Sequence, residues 1–210
     1  MFTKAILPDT LRALKLVSKI DIIKQSYLAG GTALALHLGH RISEDLDFFT
    51  QAELDEKILL NELKRLPEFV EEGTAWRTVW GKVGKTKFSL FYYEYPLIKK
   101  TINFEGIQIL AKEDIAAMKI HAIEDRGTKR DFFDLFFLSK EFSLEQMLKF
   151  YDQKYHKLSE NYYHITRSLG YFIDAEMDTD PKMFIKTSWQ EIREFFKSQS
   201  IKLAKSNLIT

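Results

Sequence analysis

The order of apolar and polar positions along this 210-residue chain predicts α/β structure in the first half and helices in the second. Leu11, Leu14, Val17 and Ile20 recur at helical spacing, which predicts a first helix over 8–24 with Asp9 or Thr10 as its cap. Tyr27–Ala29 predicts a short strand, Thr32–Leu38 a helix, and Leu46–Thr50 a second strand. Helical period returns over 53–65 and stops at Pro67. Between Thr74 and Ile98, turn signals at Gly81 and Gly84-Lys85 separate runs rich in Trp, Val, Phe and Tyr, predicting a meander of two strands. Ile107–Leu110 predicts one strand more.

Beyond Lys112 the pattern is helical throughout. Helices are expected over Ile115–Asp125 and Arg130–Ser139, over Ser159–Glu176, and after the capping-box patterns Ser143-Leu-Glu-Gln146 and Ser188-Trp-Gln-Glu191. The pattern implies an α+β chain in two parts. Residues 1–141 would form a core round a small mixed sheet, and 142–210 a C-terminal helical bundle packed on it.

Composition narrows the chemistry. With 45% apolar and 29% charged residues the chain reads as an ordinary globular protein. A net charge of +1 argues against general coating of polyanions. The absence of cysteine removes disulfides, thiolate metal sites and a Cys nucleophile. No secretory signal is recognisable near Met1 and no run is long enough to span a membrane, so a cytoplasmic protein is expected.

The stretch from Tyr27 to Thr50 carries the candidate chemistry. Gly30-Gly31 permits a sharp turn and close backbone approach. The helix opening at Thr32 aims unpaired amides and a positive dipole end at whatever lies over that turn. In Asp45-Leu46-Asp47 the two carboxylates leave a strand from the same face. Such a pair suits a hard divalent cation that also binds substrate phosphates. A bare turn with water-facing acids is the alternative, and the G-G-T and D-L-D within one strand–helix–strand unit favour the metal–phosphate reading. Arg41 and Ser43 lie on the approach to the acids, with Arg41 facing either a phosphate or Glu44.

A second block, residues 112–138, places Lys119 on the apolar stripe of one helix, where it must find an anion. On the next helix Asp131 and Asp134 sit among phenylalanines and need cationic partners. Lys119, Arg126, Lys129 and Arg130 are at hand. Two accounts coexist: a buried network pinning the helices, or Lys119 on a nucleotide phosphate with Asp131 orienting it or the acceptor. Function is expected for Lys119 and Asp131, structure for Asp134.

Gly30-Gly31-Thr32-Ala33-Leu34, His40-Arg41, Ser43 and Asp45-Leu46-Asp47-Phe48-Phe49 resemble the AbiEii/AbiGii-type nucleotidyltransferases of the polymerase-β-type superfamily. The Lys119 block, with Arg126-Gly127, Arg130-Asp131 and Asp134-Leu135, resembles the family's second motif. The resemblance covers roughly residues 20 to 140. It implies transfer of an NMP from an NTP to an acceptor hydroxyl on RNA, tRNA or protein. Mg²⁺ (or Mn²⁺) would sit on Asp45 and Asp47, the nucleotide on Gly30, Gly31, Thr32, Arg41, Ser43 and Lys119, and catalysis would use Asp45, Asp47, Lys119 and Asp131. It further implies a toxin with a cognate antitoxin protein. In one respect the chain departs from the pattern: the superfamily's third carboxylate has no counterpart in Lys87–Pro96, where Glu94 is the only acid and Ser89 or Phe91 takes the usual place. Either Glu94 or another acid such as Asp131 substitutes, or the enzyme is slow or inactive. A catalytically impaired nucleotide-binding module acting through a partner is the alternative.

Overall fold

The computed structural model describes residues 1–207, which divide into two compact units, Met1–Ala111 and Lys112 onward. The division falls well before Phe142, where the sequence suggests a boundary. Helix α5 (Lys112–Asp125) packs on α6 (Lys129–Leu138), α7 (Leu144–Tyr155) and α8 (Leu158–Leu169), so the second motif belongs with the helices that follow it.

In the first unit the chain runs α1 (Pro8–Val17), α2 (Asp21–Lys24), β1 (Tyr27–Leu28), α3 (Gly30–Leu38), β2 (Leu46–Thr50), α4 (Glu56–Leu63), β3 (Phe69–Ala75), β4 (Thr78–Val83), β5 (Thr86–Tyr92), β6 (Ile102–Phe104) and β7 (Ile107–Ile109). The predicted first helix is two, because the chain turns extended at Ile20 before α2. Pro8, with its φ fixed for the first helical turn, opens α1 in place of an Asp9 or Thr10 cap. Asp55 caps α4, accepting from Lys57 N at 2.9 Å and Ile58 N at 3.0 Å.

Among the described residues, seven strands form one sheet in the order β3-β4-β5-β2-β1-β7-β6. The predicted two-strand meander is the three-strand run β3–β5, and the predicted single strand at Ile107 is the second arm of a hairpin with β6. Exposed Val70 and a bulge at Glu71/Gly73 blur the alternation in β3. β6, three residues long, gives almost no period to read. Strand β2 is central, parallel to β5 and antiparallel to β1.

One face of β2 and β5 carries Leu46, Phe48, Phe88 and Leu90, all fully buried. α1 and α3 pack on these strands, and Thr10 of α1 reaches Thr86 at the start of β5. The opposite face of β2 carries Asp47 and Phe49, both half-buried. Strand alternation therefore separates core from site in this unit.

The second unit adds α9 (Ile173–Glu176) and α10 (Trp189–Asn207). The predicted single helix over Ser159–Glu176 is interrupted at Gly170. Ser143 and Gln146 complete the expected capping box, and Ser188 Oγ accepts from Glu191 N at 3.1 Å. Phe132 of α6 lies against Phe196 and against half-buried Phe172 and Trp189, and Tyr151 and Tyr155 are buried in α7, so Phe132, Phe196, Tyr151 and Tyr155 are core. No helix among the described residues is long and apolar enough to cross a membrane.

Candidate functional site

The site in the first unit is assembled by β1, the N-terminus of α3 and β2. Ala29, extended, closes β1 with its N–H on the Asp47 carbonyl at 2.9 Å. The next residue, Gly30, turns the chain into α3 with φ +65°, a left-handed conformation that costs other residues about 1–2 kcal/mol. A Cβ on Gly30 would lie 3.4 Å from Asp47 Oδ2, so the turn stands directly against that carboxylate. A Cβ on Gly31 would run into the Arg41 guanidinium, with Ser43 Oγ at 3.4 Å. The bare backbone at the helix start is thus flanked by an acid on one side and a buried cation on the other.

The polar connection from α3 to β2 is held rigidly. Ser43 N donates to Ala5 O at 2.9 Å, fastening the segment to the N-terminal stretch. Thr32 Oγ1 lies 2.8 Å from Ser43 Oγ and also bonds the Asp45 carbonyl. Arg41 is buried, and its Nη1 donates to Ile42 O at 3.0 Å. Thr32 therefore ties the helix start to the segment that carries Asp45. The Arg41 guanidinium lies against the glycine turn at Gly31. Gly30, Gly31, Thr32, Arg41, Ser43, Asp45 and Asp47, scattered over eighteen positions of chain, form one constellation.

Asp45 and Asp47 are both half-buried, with fully buried Leu46 between them facing the other way. Asp47 lies beside the start of α3 and Asp45 just before β2, and two such carboxylates would suit a divalent cation whose remaining ligands are phosphate oxygens and water. Among the described residues no group of three or more His, Asp or Glu side chains gathers as a metal site. The register puts Ser89 of β5 opposite Asp47, and Phe91 opposite Phe49. Glu94 lies past the end of β5 and is exposed.

The second motif forms a buried cluster within the helical unit. Lys119 Nζ lies 2.8 Å from Asp131 Oδ1 and 2.6 Å from Asp134 Oδ2. Arg126 Nε reaches Asp131 Oδ2 at 3.2 Å, and Thr128 Oγ1 donates to the same oxygen at 2.6 Å. Burial pushes the Asp131 carboxyl up, but the charges of Lys119 and Arg126, with hydrogen bonds from Lys119 and Thr128, hold it down at about 2. The sequence assigns Lys119 to a phosphate and Asp131 to orienting it. In the structure the Lys119 ammonium bridges α5 to α6 through both aspartates, which is the pinning network of the structural account.

Phe49 and Phe91, which the motifs include without a ring role, come together with Tyr93 beside this site. Their signal was Phe49 two positions after Asp47, hence on the same strand face, and a second aromatic run at Phe91–Tyr93.

A profile of the family described as nucleotidyl transferase AbiEii toxin, type IV toxin–antitoxin system, matches residues 13–204. An uncharacterized protein of Aquifex aeolicus is 37% identical over 191 residues, which cover 88% of this chain and 91% of that protein. Among solved structures, MenT4, a nucleotidyltransferase toxin of Mycobacterium tuberculosis, superposes with a TM-score of 0.58 at 15% identity, over 93% of this chain and 82% of its own. JHP933 of Helicobacter pylori superposes with a TM-score of 0.56 at 22% identity, over 96% and 94%. These likenesses show a shared nucleotidyltransferase fold. The profile spans nearly the whole chain, and with it the chain belongs to the AbiEii family of nucleotidyl transferase toxins.

Proposed function

We propose that the protein transfers a nucleotidyl group from an NTP to an acceptor hydroxyl at the Gly30–Asp47 site, with Asp45 and Asp47 as ligands of Mg²⁺ or Mn²⁺. The observation that carries this reading is the contact of Gly30 with Asp47: phosphate-binding backbone and metal-binding carboxylate share one surface. A divalent ion held there neutralises charge that develops on the triphosphate. The amides at the start of α3 bind the β- and γ-phosphate oxygens, and Arg41 adds a fixed positive charge beside Gly31. Ser43 and Thr32 keep Asp45 in register with Asp47. The acceptor oxygen forms a bond to the α-phosphorus as the bond to the pyrophosphate oxygen breaks, and the hydroxyl proton passes to solvent.

Lys119 and Asp131 act in this proposal by holding α5 and α6 together. The type IV toxin–antitoxin description of the family supports a cognate antitoxin as partner and a toxic activity in the cell. RNA, tRNA or protein would carry the accepting hydroxyl.

The test is incubation with each labelled NTP, Mg²⁺ or Mn²⁺, and total RNA or cell lysate. Acceptor labelling that disappears in Asp47→Ala is the expected result. Nucleotide binding without labelling of any acceptor would sink the proposal.

A further inference from the structure

On the sheet face that carries the two carboxylates, a group of aromatic rings begins where the acids end. Phe49 follows Asp47 by two strand positions, about 7 Å along the same face. Its ring centroid lies 5.1 Å from that of Phe91 and 5.1 Å from that of Tyr93, and Tyr93 lies 5.0 Å from Tyr95. Tyr27, buried, stacks beneath Phe49 at 6.3 Å and an interplanar angle of 15°. Phe49, Phe91, Tyr93 and Tyr95 all remain half-exposed. The backbone holds them in place: Phe49 pairs with Phe91 in the β2–β5 register, and Tyr93 N donates to Thr50 O at 2.8 Å. Core packing explains Tyr27 and leaves the partial exposure of the other four unaccounted for.

Their position along the strand gives them a side. β1 runs antiparallel to β2, with Tyr27 opposite Phe49, while Ala29 and Gly30 lie at Asp47. Asp47 thus separates the glycine turn from the rings. In the proposed reaction the turn takes the β- and γ-phosphates, so pyrophosphate leaves on that side. In-line displacement places the attacking oxygen across the α-phosphorus from the leaving oxygen. The rings are on the acceptor side.

We infer that Phe49, Phe91 and Tyr93 form a stacking subsite for the terminal nucleobase of a single-stranded RNA acceptor, whose ribose hydroxyl then lies at Asp45 and Asp47. This rests on the transferase reading given above and adds the place where the acceptor's terminal base is held. A base presents a flat π-face that stacks on aromatic side chains. The span from Phe49 to Asp47 is of the order of one nucleotide's reach from base to ribose hydroxyl. The connection that follows Tyr95 brings Lys99 and Lys100, both exposed, to Thr101. Thr101 bonds Gln108, the register partner of Tyr27, which brings the segment after Tyr95 back beside Tyr27.

The experiment uses the full chain with Mg²⁺, short fluorescent homopolymeric RNA oligonucleotides and a non-transferable NTP analogue. Phe91→Leu and Tyr93→Leu are expected to weaken oligonucleotide binding by roughly five- to a hundredfold each and to leave NTP-analogue affinity unchanged. An oligonucleotide lacking its terminal base should lose the same factor on the wild-type protein, with no further loss when variant and abasic strand are combined. Phe91→Trp should restore binding. The abasic comparison needs no variant, so it decides even if a Leu variant unfolds. Loss of NTP-analogue affinity with oligonucleotide binding intact would move the subsite to the incoming nucleotide and overturn the inference. So would indifference of both ligands to the rings, or no oligonucleotide binding at all. Ring-dependent and base-dependent oligonucleotide binding by a protein that labels no acceptor would leave the subsite standing and remove the transferase reading. Normal transfer to RNA by the Leu variants would remove the subsite alone.

Discussion

Two clusters in this chain each join a pair of aspartates to cationic side chains, yet their surroundings give them opposite characters. Asp45 and Asp47 stand half-exposed on a sheet face beside a bare glycine turn, with Arg41 lodged behind Gly31. Asp131 and Asp134 are 1% and 0% exposed, with Lys119 between them and Arg126 at the edge. In the first, half-exposed acids stand beside the start of α3, where a cation and phosphates could join them. In the second, opposite charges meet one another and the network is closed within the fold. Residue types alone do not separate a binding site from a structural pin; what separates them here is burial and the bare backbone turn beside the first pair.

That contrast predicts different failures. Asp47→Asn should lower nucleotidyl transfer by roughly a thousandfold, since several kcal/mol of transition-state stabilisation depend on the held cation. Its urea unfolding midpoint should stay near that of the wild type. A large loss of stability in this variant would mean that Asp47 is structural after all.

Lys119→Met should do the reverse, leaving two buried carboxylates without their ammonium and destabilising the protein by about 3–5 kcal/mol in urea unfolding. A stable Lys119→Met protein with impaired NTP binding would instead return Lys119 to the nucleotide.

Acid should act on the second cluster. The folded carboxyl of Asp131 is held at about 2, below its ordinary 3.8, so the folded state binds its proton less readily than the unfolded chain. The resulting stability is fully present above about pH 4 and is lost as pH falls through about 2, amounting to about 2 kcal/mol. Asp131→Asn should flatten the stability–pH curve in that window, as followed by urea unfolding at a series of pH values. An unchanged slope would show that other groups carry the acid sensitivity.

The smallest effect is expected at the turn. Gly30→Ala must place a Cβ at φ +65° and should cost about 1–2 kcal/mol of stability, together with weaker binding of an NTP analogue. Stability equal to the wild type would show that the turn relaxes to a negative φ.

Much of the candidate site was legible because it is local. Gly30-Gly31 announces a turn into a helix, which opens at Gly30 and not at Thr32, and Asp47 falls on the strand face expected of it, with Asp45 just before the strand. The parallel register of β2 and β5, which puts Ser89 opposite Asp47, is a pairing between distant segments. The three-strand β3–β5 run and the β6–β7 hairpin were harder, since a bulge and three-residue strands leave little period to follow.

By itself, then, the sequence determined the element types, the acid pair and the glycine turn, because periodicity and backbone preference act over a few neighbouring residues. Only the tertiary structure decided that Arg41 lies against Gly31, that Thr32 grips the segment bearing Asp45, and that Lys119 is claimed by two aspartates. It alone brought Phe91 and Tyr93 from a distant strand to Phe49. Those contacts depend on strand register and helix packing, which join positions far apart in the chain and leave no local mark in its pattern.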